Sequence, residues 1–198
     1  MATPLLIAIG NPLRGDDGVA WRLALQAGRL RPAIAMRRVQ QLTPELCEEL
    51  GPASRILFLD AWPVAPGLRS ASGSVAEPRP GGHTPWPAQT TPRLLPIAAG
   101  MQAPSGAASP AGPSSPPAAP DPAGFSHALD PRTLLALTGL LHGQAPPAWE
   151  LRLPAWRFRH GSSLSPAARR QLPSALALLL GWCDGRAPER SLNRRPDA

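Results

Sequence analysis

The sequence predicts a single α/β domain of three layers, in which a mostly parallel, twisted sheet is flanked by helices. Short apolar runs that end at turn residues alternate along the chain with longer segments whose apolar residues recur at helical spacing. Such an alternation is typical of parallel strands that are joined by crossover helices. A length of 198 residues is also sufficient for one domain with a real hydrophobic core.

The first sixty residues carry this alternation most clearly. Residues 5–9 form an uninterrupted apolar run, which predicts a strand buried on both faces. The apolar stripe that follows predicts an amphipathic helix beginning near Asp17. The other predictions for this part are a strand over 34–39, a helix over 43–50 with Thr43 as its N-cap, and a strand over 55–60 that ends in the carboxylate of Asp60.

The predicted domain covers residues 1–185, and a polar tail follows over 186–198. A flexible insertion at about 70–123 interrupts it, because this stretch is rich in Pro, Ala and Ser and offers little apolar surface. Within the insertion, residues 73–75 and 93–97 are candidates for edge strands. Beyond it, the sequence predicts a helix capped by Asp130, a strand over 149–153, and a last helix that begins at Ser165 and is kinked at Pro173.

Composition and charge exclude several classes of protein. The net charge is +7, but the arginines are scattered and only 5% of the residues are aromatic, so we expect no nucleic-acid partner. No run approaches the roughly 20 apolar residues that cross a bilayer, and the first residues do not resemble a signal peptide, so a cytoplasmic protein without membrane contact is expected. Cys47 and Cys183 are predicted to be small buried side chains rather than a disulfide framework.

The most informative motif lies between the first strand and the first helix, where residues 10–18 read Gly-Asn-Pro-Leu-Arg-Gly-Asp-Asp-Gly. Gly10 and Gly15 have the spacing of a P-loop, but Asp16 and Asp17 hold the positions of its Lys and Ser/Thr. Two carboxylates would repel a phosphate, which disfavours a nucleotide site. A structural explanation also exists, because acids at a helix N-terminus complement the helix dipole by about 0.3–1 kcal/mol each.

The positions of two acids in the predicted sheet favour a functional explanation. Ligands of open parallel sheets bind outside the carboxyl ends of the strands, where both Asp17 and Asp60 are expected. Two oxygen ligands there indicate a site for a cation or a cationic centre. His127, just before a predicted helix, is the best candidate for a third ligand, although a loop histidine is more commonly a surface residue. The other histidines are predicted in the insertion, at a helix end and in a loop: His83, His142 and His160.

The acidic turn resembles the opening motif of the nickel-iron hydrogenase maturation endopeptidases. Other segments are similar to that family and occur in its order over most of the chain: Gln41-Leu42-Thr43-Pro44-Glu45-Leu46, Leu59-Asp60-Ala61, Ser126-His127-Ala128-Leu129-Asp130-Pro131, Pro146-Pro147-Ala148-Trp149 and Leu164-Ser165-Pro166. The insertion is longer than the family pattern, and residues 156–160 depart from it.

The resemblance implies a cytoplasmic endopeptidase that removes a short C-terminal peptide from the precursor of the hydrogenase large subunit after nickel insertion. Nickel would be supplied by the substrate, so no permanently bound cofactor is expected. The implied nickel ligands, which are also the implied catalytic residues, are Asp17, Asp60 and His127. Asp16 and Asn11 are expected to support them.

No Ser/His/Asp or Cys/His arrangement is evident in the sequence, so the expected mechanism is metal-assisted hydrolysis with a carboxylate as base. Three alternatives stay open at this point. They are a non-catalytic module that binds the metal-loaded subunit, a nucleotide-binding domain, and a general metallohydrolase with its own permanent metal.

Overall fold

A computed structural model describes residues 2–64, 91–97 and 129–186. Within these residues, one five-stranded sheet has the order β2-β1-β3-β5-β4. Its strands are β1 (Pro4–Ile9), β2 (Ala35–Val39), β3 (Arg55–Pro63), β4 (Arg93–Ile97) and β5 (Ala148–Ala155). Only the edge strand β4 runs antiparallel to its neighbour. The predicted mostly parallel sheet is confirmed.

Helices cover both faces of this sheet. They are α1 (Val19–Leu30), α2 (Cys47–Leu50), α3 (Pro131–His142) and α4 (Pro166–Cys183). Buried side chains of α1 and α4 form one core with the sheet, and those of α2 and α3 form a second core on the other face. The predicted three layers are therefore confirmed. None of the helices in the described ranges combines the length and the apolar character needed to cross a membrane.

The strand order reverses between β1 and β3. The chain passes from β1 to β2 on one side and then returns to place β3 on the other side of β1. The two crossovers leave the sheet in opposite directions, so a crevice opens at the carboxyl ends of β1 and β3. This crevice positions the candidate site.

The caps of two helices are those that the sequence predicts. The Asp130 carboxylate accepts hydrogen bonds from the N–H groups of Arg132 (2.8 Å) and Thr133 (3.0 Å) at the start of α3. The Ser165 hydroxyl accepts one from the Ala168 N–H (3.1 Å) at the start of α4.

Cys47 is buried and Cys183 is half-buried, both as free thiols.

Two local predictions were wrong. Asp60 does not end β3, because the strand continues to Pro63 and pairs with β5 over this extension. Thr43 makes no side-chain cap, although Pro44–Leu46 form a 3-10 turn that leads into α2 as expected. Its hydroxyl hydrogen-bonds the Glu45 carboxylate instead, which lowers the pKa of that carboxyl below its usual value.

The long predicted insertion is described only in part. Its candidate strand over residues 93–97 is confirmed as β4. The candidate strand over residues 73–75 lies outside the described residues, and so do residues 187–198 of the predicted tail.

Candidate functional site

The acidic turn after β1 has a close backbone contact and local hydrogen bonds that orient Asp17. Gly10 has a φ of +134°, and a Cβ there would lie 2.1 Å from the carbonyl oxygen of Asp17. The Asn11 side-chain oxygen accepts a hydrogen bond from the Leu13 N–H at 2.9 Å, and the Asn11 N–H donates to Oδ2 of Asp17 at 3.0 Å. The turn therefore orients the Asp17 carboxylate before any ligand arrives.

The two adjacent acids of the turn have different environments. Asp16 is fully buried, and its carboxylate joins the turn to the connection between β5 and α4. Asp17 is only half-buried. The donors to Asp16 are the N–H groups of Trp156 (2.9 Å), Arg157 (3.0 Å) and Ser165 (2.6 Å) and the hydroxyl of Ser165 (2.8 Å). Asp16 thus holds the architecture together, and Asp17 is the more exposed of the two acids.

The turn is poorly suited to a phosphate. Five of its backbone N–H groups already donate to acceptors within the protein, which leaves few donors for a cradle of the P-loop kind. These donors belong to Asn11, Leu13, Arg14, Asp16 and Asp17. The two carboxylates add repulsion to this lack of donors, which argues against the nucleotide-binding alternative.

Asp60 lies on β3 directly after Leu59, the last residue in register with β1. Burial is the main reason that its pKa is raised from 3.8 to about 7. The negative charges of Glu150 and Asp17 raise the pKa further, whereas the Ala61 N–H and the Arg152 guanidinium lower it. The structure thus brings Asp17 and Asp60 close enough for their charges to interact.

An open cleft of about 480 Å³ lies beside Asp60. Because β3 extends beyond the end of β1, one side of this extension has no strand neighbour and borders the cleft. The opposite wall comes from the chain after β2 and from the start of α3. The lining residues are Ile9, Gln40, Gln41, Leu42, Asp60, Trp62, Ile97, Leu129, Asp130, Pro131, Arg132, Glu150 and Arg152.

Three residues of this cleft were missed in the sequence: Trp62, Glu150 and Arg152. Glu150 and Arg152 belong to β5, and Trp62 belongs to the part of β3 that lies beyond the predicted strand end at Asp60. The signal for the first two was present, because charged residues alternate with leucines in the Glu-Leu-Arg-Leu segment of β5. Such an alternation places both charges on one face of the sheet.

The third predicted ligand, His127, lies outside the described residues, as does His83. His127 precedes Leu129 by two residues in the sequence, and Leu129 lines the cleft and forms a β-bridge with Leu42. Of the described histidines, His142 ends α3 as predicted. Within residues 2–64, 91–97 and 129–186, no three His, Cys, Asp or Glu side chains are grouped to hold a metal ion.

The fold is similar to those of several solved hydrogenase maturation proteases. The hydrogenase maturating endopeptidase HybD from E. coli is 16% identical and has a TM-score of 0.54, over 96% of this chain and 99% of that one. The nickel-iron hydrogenase maturation protease HycI from Thermococcus kodakarensis is 13% identical, with a TM-score of 0.51 over 92% of this chain and 93% of that one. HybD from the same archaeon is 16% identical, with a TM-score of 0.50 over 91% and 99%.

No family model and no curated protein matches the sequence. At these identities, the likeness to the solved structures shows a common fold. The α/β architecture expected from the sequence is therefore shared with these endopeptidases over nearly their whole length.

Proposed function

We propose that this chain is an endopeptidase that removes the C-terminal peptide from the precursor of a nickel-iron hydrogenase large subunit, in the cytoplasm, after nickel has been inserted. Three lines of reasoning support the proposal. They are the motifs spread along the sequence, the fold shared with such endopeptidases, and the chemistry of the cleft at the carboxyl ends of β1 and β3.

One observation carries the proposal. The half-buried carboxyl groups of Asp17 and Asp60 lie close enough to repel each other, and burial raises the pKa of Asp60 to about 7. A cation between them would relieve this repulsion and favour the ionised form of both groups. Carboxylate and imidazole ligands suit nickel. We therefore assign Asp17, Asp60 and His127 as the residues that bind the nickel carried by the substrate.

The same residues have a clear place in hydrolysis. The substrate's nickel supplies Lewis acidity at the bond to be cut. A carboxylate of the site accepts the proton of the attacking water and so acts as the general base. The Asn11 N–H keeps the Asp17 carboxylate oriented, and Asp16 keeps the turn attached to the rest of the domain.

The test is to incubate the protein with nickel-loaded large-subunit precursor and to measure the masses of both products. We expect wild type to release a C-terminal peptide, and Asp17→Asn and Asp60→Asn to slow this release by at least about 100-fold. Asp184→Asn, which changes a surface carboxylate paired with Arg31, is the matched control and should cleave normally.

Two results would count against the proposal. Wild-type rates in both Asp17→Asn and Asp60→Asn would remove the assigned residues from the reaction. Binding of the precursor without any cleavage by wild type would favour the non-catalytic module. Metal analysis of the purified protein tests the remaining alternative, because a stoichiometric, tightly bound metal would indicate a metallohydrolase with its own ion.

A further inference from the structure

A guanidinium group is fixed on the wall of the cleft. The Nε and Nη2 atoms of Arg152 each lie 2.9 Å from Oε2 of Glu150. The same guanidinium lies over the ring of Trp62, with its carbon atom 4.0 Å from the ring centroid. An arginine whose guanidinium stacks on an aromatic ring and also pairs with a carboxylate loses little further freedom when it binds a ligand. Arg152 is therefore preorganised.

The place of Arg152 in the sheet puts it beside the proposed reaction. Arg152 is the register partner of Asp60 on the adjacent parallel strand, so the two side chains lie on the same face. Trp62 and Glu150, each two residues away along its strand, share that face. All four residues line the cleft.

Some N–H groups of the Arg152 guanidinium do not face Glu150. Its N–H groups number five, and those on Nε and Nη2 face Glu150. Among the described residues, none accepts a hydrogen bond from Nη1. The Arg152 side chain is 25% exposed, which leaves part of it open to the cleft. With respect to the described residues, these donors are available to a ligand.

The surrounding charges select the kind of ligand. Glu150 already balances the charge of Arg152, and Asp60 and Asp17 add negative potential, so a free carboxylate or phosphate would be repelled. A neutral oxygen such as a peptide carbonyl would meet no such repulsion. We propose that Arg152 binds a backbone carbonyl oxygen of the peptide substrate and holds the substrate alongside Asp60. This inference rests on the proposed function and names a further substrate-binding residue for it.

Precursor processing by Arg152→Gln, Arg152→Lys and the double variant Glu150→Gln/Arg152→Gln tests this role. We expect KM to rise about tenfold in all three, with kcat changed less than about threefold, because a hydrogen bond to bound substrate is lost. Arg93→Gln is the matched control. Arg93 is the register partner of Arg152 on β4, but it is exposed and does not line the cleft, so its KM should stay at the wild-type value.

The double variant separates substrate binding from a structural role. If Arg152 served only to neutralise Glu150, removal of both charges would restore the wild-type KM, and that restoration would overturn the inference. An unchanged KM in Arg152→Gln would overturn it as well. If wild type binds precursor without cutting it, the proposed function fails, and the affinities of the same variants for precursor then decide the role of Arg152 in the same way.

Discussion

Asp60 gives the stability of this protein a distinctive pH dependence. Its pKa is about 7 in the folded chain and close to 3.8 in the unfolded chain. Because the folded pKa is the higher one, the folded chain loses stability as the pH rises from about 4 to about 7. The two pKa values differ by about 3, which corresponds to a change of about 4 kcal/mol in the free energy of unfolding at about 1.36 kcal/mol per pKa unit. Asp60→Asn removes the ionisation, so we expect the variant to be the more stable protein at pH 8.

Urea unfolding of wild type and Asp60→Asn at several pH values between 4 and 8 measures this effect. The free energies of unfolding should be nearly equal at pH 4, and the advantage of the variant should grow to about 2–4 kcal/mol above pH 7. Asp184 should have the opposite effect on the pH dependence of stability. The hydrogen bond from the Arg31 guanidinium lowers the pKa of Asp184, so the stability that the ionised Asp184 contributes, and that Asp184→Asn removes, is lost as the pH falls. A difference between wild type and Asp60→Asn that stays constant from pH 4 to pH 8 would refute the reasoning.

Two further predictions concern stability. Asp16→Ala leaves three backbone N–H groups and the Ser165 hydroxyl without their acceptor, so urea unfolding should show a loss of about 3–5 kcal/mol; a loss below about 1 kcal/mol would contradict the role given to Asp16. Asp130→Ala removes the cap of α3 and should cost about 1 kcal/mol in the same assay, while Asp130→Asn should retain most of that stability. Equal unfolding midpoints for Asp130→Ala and wild type would show that this cap is not needed.

The sequence was sufficient to predict the layers of the fold. Strands β1 and β3 contain uninterrupted apolar runs, and such runs have few alternatives to a buried parallel strand. The order of the strands was not predictable, because pairing of β5 between β3 and β4 depends on contacts between distant parts of the chain. The extension of β3 to Pro63 has the same origin, since β5 supplies its hydrogen-bonding partners.

The candidate site was predictable only in outline. The sequence suggests Asp17 as a ligand and Asp16 as a supporting residue, but it does not show what Asp16 contacts, because the partners of Asp16 lie some 140 residues further along the chain. Asp60 was found from its position after an apolar run. Arg152 was not, because the importance of this residue comes from Trp62 and Glu150, which only the folded sheet places beside it.

The bonds of Asp16 also determine when the site can form during synthesis. The turn that carries Asp17 leaves the ribosome well before its anchor points at Trp156, Arg157 and Ser165, which are among the last parts of the described chain to emerge. Until then the Asp16 carboxylate lacks the partners that anchor the turn in the folded domain. A nascent chain that stops before Ser165 therefore carries the acidic motif without the bonds that anchor Asp16, and the proposed site is completed only after Ser165 has been made.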